Sequence, residues 1–181
     1  MAQSITVTYE NEAQHNGNNI FIQLTSLEQA IEQIKTNLGD CTESVAIIED
    51  LADYITDFPS REVIGLEKKL DNGGRKELKD RAVLLKSRFE RRVAKNQMSL
   101  SEQHVYIQIL SAISTIWHLK IAPLIENNAA THQIDQNIFD ELVEPIHKAI
   151  VRYDTLITTD LVSGMLYFLT GKCHIQWSKQ C

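Results

Sequence analysis

From Ser26 to Gly171, apolar residues return at spacings of three and four, interrupted only by short polar, proline or glycine-bearing breaks. A period near 3.6 residues puts such residues on one stripe of a helix, so most of this chain must form helices that bury their stripes against each other. The first predicted helix is capped by Ser26, turns Leu27, Ile31, Ile34 and Leu38 inward and stops at Gly39. The second follows Cys41-Thr42, carries Val45, Ile48, Leu51, Ala52, Ile55 and Phe58, and ends at Pro59. A shorter third starts at Ser60, with Val63, Leu66 and Leu70 inward, and closes at the Asp71-Asn72-Gly73-Gly74 turn.

The fourth, Lys76 to Asn96, aligns Leu78, Ala82, Leu85, Phe89 and Val93 and fills its other faces with bases. Ser99-Leu-Ser-Glu102 has the form of a capping box. It opens a long apolar fifth helix through Ile109, Leu110, Ile113, Ile116, Trp117 and Ile121, which Pro123 bends or ends. After a polar stretch, Glu126 to Gln133, a sixth helix opens at Asp135, carries Ile138, Leu142, Ile146, Ala149, Ile150 and Tyr153, and should kink at Pro145. The seventh is capped by Thr158 or Thr159 and ends at Gly171. Ahead of all these, Ser4–Tyr9 and Ile20–Thr25 alternate polar and apolar around a Gly/Asn-rich reversal, which predicts a β-hairpin.

The expected fold is therefore mainly α: a single-domain bundle of about seven helices over residues 26–181, with an N-terminal β-hairpin or flexible extension in residues 1–25 and an extended C-terminal tail. In that tail Cys173, Ile175 and Trp177 share one side, so it should lie down on the core. A chain of 181 residues buries roughly 70% of its unfolded surface without disulfides or metals. No apolar run approaches the roughly 18 residues of a membrane span, so no membrane contact is expected. The start Met1-Ala2-Gln3-Ser4-Ile5 lacks a secretory signal, which points to the cytoplasm. Cys41, Cys173 and Cys181 are odd in number and unpaired in spacing, and are expected as free thiols.

Charge is unevenly laid out. Residues 68–95 hold 11 of the 18 Lys and Arg against four acids, whereas Asp40 to Asp57 contains six acids and no base. Such blocks either face each other and water or offer a partner surface. A basic helix bearing Arg88, Arg91, Arg92 and Lys95 could meet nucleic-acid phosphates, but it lacks interleaved aromatics for stacking and the net charge is −6. Nucleic-acid binding is thus the alternative reading, not the favoured one.

Catalytic and metal chemistry find little support. Cys173 and His174 are adjacent in an extended segment and point to opposite faces. His104, His118 and His147 have no helical companion at the spacing that holds zinc, and Asn72-Gly73-Gly74-Arg75 matches no known phosphate loop. No enzyme activity, cofactor or metal is expected. The uncharged segment Asn16–Gln23 combines amides with β-formers and could stack across chains, loosely resembling amyloid signalling motifs of bacterial immune-type proteins.

Two stretches together resemble a known family. Gly65-Leu-Glu-Lys-Lys-Leu70, Asn72-Gly-Gly-Arg75, Ala82-Val-Leu-Leu-Lys-Ser-Arg-Phe89 and Ser99 to Tyr106, with the ending Gly164 to Trp177, are similar to the C-terminal domains of effector components in bacterial ABC three-component conflict systems. The resemblance covers about residues 42–177. It implies a docking module that couples the effector to protein partners, either the middle component or the ABC ATPase, with homo-oligomerisation a further option. On the resemblance, the hairpin and the first helix are expected to stand where such components usually carry a large effector domain, which leaves the output open. On this reading Arg75, Arg88, Arg91, Arg92, Lys95, His174 and Trp177 are the partner-binding or framework residues.

Overall fold

A computed structural model describes residues 53, 54, 56, 57, 63–94 and 100–179. The predicted hairpin, the first helix and most of the second lie outside the described residues. Among those described there are five helices and no strand. Helix α1 is Leu66–Asn72, and α2 is Lys79–Ala94, entered through a 3-10 turn at Lys76–Leu78. Helix α3 runs Leu100–Ile116, widens into a π-turn at Trp117–Ile121 and continues as Ala122–Glu126. Helix α4 repeats this design with Thr131–Asn137, a π-turn at Ile138–Val143 and Glu144–Val151. Helix α5 is Thr159–Gly171.

Several boundaries differ from expectation. The helix predicted from Ser60 begins at Leu66, because Gly65 takes φ 79°, outside the helical region, and Val63 is 56% exposed rather than inward. The helix predicted from Asp135 begins a turn earlier, at Thr131, where the Gln133 side chain accepts from Ala130 N–H at 3.2 Å and supplies half of a capping box. Neither proline ends its helix. Pro123 and Pro145 each sit two residues beyond a π-turn. A proline has no N–H to donate and crowds the carbonyl four residues back, here Leu119 and Glu141. Both carbonyls lie inside the widened turn, where the ordinary ladder is already opened, so each helix absorbs its proline and runs on.

The core is built on α3, whose Tyr106, Ile109, Leu110, Ile113, Ile116, Trp117 and Ile121 are all buried. Residues Glu102–Glu126 are also long and apolar enough to cross a membrane, with an 18-residue window of mean hydropathy 1.3, but 56% of that window is buried in the bundle, as expected of a core helix. The most extensive helix contact joins α2 to α5. It is close because Gly164 has no side chain: a Cβ there would stand 2.6 Å from Leu85 O. Beside that crossing Phe89 meets Tyr106 and Phe168 edge-on, with centroids 5.8 and 5.0 Å away.

Candidate functional site

Three helices end alike. After α1, Gly74 takes φ 68°, Gly74 N–H bonds Asp71 O at 3.0 Å and Arg75 N–H bonds Leu70 O at 2.7 Å. After α3 the same pair of bonds surrounds Asn128, and after α5 it surrounds Cys173, with His174 N–H reaching Leu169 O at 3.0 Å. These are Schellman caps, which satisfy the last carbonyls by turning the chain through a left-handed residue. Glycine and asparagine suit that position; Cys173, at φ 66°, is held there despite its Cβ. The caps of α1 and α5 aim Arg75 and the tail at each other.

The tail then closes over the core as its period predicts. Cys173, Ile175 and Trp177 are buried while His174 and Gln176 are half-exposed. Cys173 is buried and forms no disulfide among the described residues; Cys41 and Cys181 lie outside them. Trp177, 3% exposed, fits between Trp117 at 4.8 Å and Tyr167 at 6.3 Å, the latter pair stacked at 18°. Its Nε1–H donates to Thr170 Oγ1 at 3.0 Å, and that hydroxyl donates to Leu166 O at 3.0 Å. The Thr170 carbonyl accepts from Lys69 Nζ at 2.5 Å and from Cys173 N–H at 3.2 Å. Thr170 is thus a fully buried node joining α1, α5 and the tail. The ammonium of Lys69, itself buried, sits where the α5 dipole is negative.

Arg75 also lies over the indole, 5.8 Å from the ring centroid, and pairs with Asp135 of α4 and with Glu77 at 3.3 Å. Burial pulls its guanidinium below the ordinary arginine range, with Glu77 and then Tyr167 opposing, yet an arginine remains charged. Burial likewise pushes the Tyr167 hydroxyl upward, against Arg81 and Arg75. Gly73 permits the whole arrangement: a Cβ on it would meet Trp177 O at 2.6 Å.

The expected residues therefore fall into three groups. Arg75 and Trp177 meet in this clasp, and His174 stands on its outer edge, Nε2 3.2 Å from Thr56 O. On α2, Arg88 pairs with Asp160 at 3.5 Å, alongside Arg81 at 2.8 Å, and Arg92 lies 3.9 Å from Glu102 and 5.7 Å from the Tyr106 ring centre. Asp160 also lies in the first turn of α5, where a carboxylate is favoured. Arg91 is exposed and forms no ion pair among the described residues. Lys95 lies outside them.

Sequence reasoning singled out the Gly73-Gly74 turn but missed Lys69, Asp135 and Thr170 as parts of the clasp. For Lys69 a signal existed, since Leu66, Lys69 and Leu70 share one helical face. For Asp135 there was none, because its partner Arg75 lies far away in the chain; Thr170 bonds Leu166, Cys173 and Trp177 nearby, but its link to Lys69 joins distant positions. His118 is exposed with Nδ1 2.7 Å from Ser114 O, a bond within its own helix. Among the described residues no three His, Cys, Asp or Glu converge as a metal site would require.

Residues 65–177 match the family model for C-terminal domain 9 of the ABC-three component (ABC-3C) systems. The chain belongs to that family. The matched span of this ABC-3C domain starts at Gly65, the residue that opens α1, and stops at Trp177, the indole that closes the clasp. All five described helices fall within the matched span. No curated protein and no solved structure matches the chain.

Proposed function

We propose that this ABC-3C domain is a non-enzymatic docking module, cytoplasmic in location, that couples protein components of its conflict system, with the ABC ATPase or the middle component as partner. The observation that carries this reading is the family match, which spans all five described helices and makes the chain a component of a three-component system. The chemistry of the clasp is in keeping with it. Thr170, Lys69, Arg75 and Trp177 are engaged in holding the tail, so they serve as framework, and the partner-facing role passes to the outer side of α2. There the exposed Arg91 follows the exposed Val83 and Leu84 by about two turns, and the paired Arg88 and Arg92 flank it. Exposed charge of this kind steers association more than it adds affinity.

The test is to co-express the full chain with the ATPase and middle component of its own system and purify on a tag with nuclease present. Retention of a companion component at fixed stoichiometry, reduced by R91E, is expected. Components that separate singly, with R91E indistinguishable from the native chain, would remove the proposal.

A further inference from the structure

The tail grips at two ends. Beyond the α5 cap, Lys172 Nζ lies 3.7 Å from Asp57 Oδ1, His174 Nε2–H donates to Thr56 O at 3.2 Å, and the His174 ring is 5.7 Å from that of Tyr54, which itself packs on the core. At the far end the Trp177 backbone rests directly on Gly73, with no room for even a methyl group: a Cβ would stand 2.6 Å from Trp177 O and 2.7 Å from Trp177 Cβ. Three residue steps separate His174 from Trp177, a span of about 10 Å at full stretch. The near end is fixed by the left-handed Cys173 and its two cap bonds. A segment this short, pinned by its alternate buried side chains, has no slack in which to absorb a shift of either end.

From these contacts we propose that residues 172–177 form a strap that couples the Gly73-Gly74 turn to the segment holding Tyr54, Thr56 and Asp57, so that loosening one end loosens the other. The consequence is regulatory. The turn lies on the surface, with Gly74 and Glu77 exposed, and residues 53–57 lead back to everything upstream of the family domain. Whatever presses on the turn changes the hold on the upstream chain. This goes beyond the docking reading and needs no partner, so it stands or falls on the isolated full chain.

The experiment is amide hydrogen exchange on the full chain, native and with Gly73→Ala, which touches neither the upstream segment nor the tail's own sequence. Exchange over residues 53–57 is expected to rise about tenfold, the size of one lost hydrogen bond and one lost ring contact, while Leu100–Ile116 stays protected. If Gly73→Ala moves the tryptophan emission yet leaves exchange over 53–57 unchanged, the strap does not transmit and the inference is overturned. Should Gly73→Ala fail to fold, His174→Ala reads the coupling in reverse. Altered emission from the Trp117–Trp177 pair is then expected, and native emission would equally overturn it.

Discussion

Gly164→Ala is the sharpest test of the packing, because two effects of opposite sign compete and the structure decides between them. Gly164 lies within helix α5, Thr159–Gly171, so alanine there should favour the helix by about 1 kcal/mol. Against this, the new Cβ would stand 2.6 Å from Leu85 O and 3.1 Å from Leu85 C, and those are backbone atoms of the 16-residue helix α2. Ordinary contact needs nearly an ångström more, and a backbone cannot rotate aside as a side chain tip can. The two helices must separate at their closest crossing, disturbing Phe89 and Phe168 beside it. Overpacking of a tight core costs about 1–3 kcal/mol, and a rigid obstacle belongs at the upper end. The net expectation is destabilisation by about 2 kcal/mol, or about 4–8 °C in Tm for a chain of this size. Urea unfolding followed by circular dichroism measures it. A variant as stable as the native chain, or more so, would refute the close α2–α5 crossing.

Other consequences can be measured in the same way. Trp177→Ala should cost about 3–5 kcal/mol by emptying the space between Trp117 and Tyr167, whereas Trp177→Phe should lose much less, mainly the bond to Thr170. Thr158→Ala removes the side-chain acceptor for Leu161 N–H at 3.2 Å and should cost about 1 kcal/mol. Tyr106 is buried with a hydroxyl that has no partner among the described residues, and burial, opposed by Arg92, pushes its pKa from 10.0 to about 12. Its folded-state pKa is raised, so its contribution to stability is full below pH 10 and is lost as pH climbs through about 12, the unfolded chain releasing its proton first. Tyr106→Phe should therefore flatten the alkaline limb of a stability–pH curve and cost nothing at pH 7, and an unchanged alkaline limb would count against it.

Much of this fold was legible because helical period survives whatever packs against it. The stripes of α2, α3 and α4, a cap at Thr158 or Thr159, the stop at Gly171 and the alternation of Cys173, Ile175 and Trp177 were all local properties. What was not local was hidden. The onset of α1 depended on the backbone at Gly65, and the passage of two helices through Pro123 and Pro145 depended on π-turns, which composition does not reveal. The clasp was half legible: Arg75 and Trp177 stood out as residues, but that they stack on each other, and that Gly73 and Thr170 make the fit, is a matter of contacts between distant positions. The charge block on α2 read as a surface of one sign, yet Asp160 and Glu102 temper it from other helices.

The central claim, that this ABC-3C domain docks onto protein components of its own system, is tested most directly by sedimentation of the purified full chain with each purified component in turn, at two salt concentrations. The account predicts a single faster-moving species with the summed mass for at least one component, persisting at the higher salt. Independent sedimentation of every pair at both salts, with the chain instead moving on DNA or RNA at low salt, would contradict it.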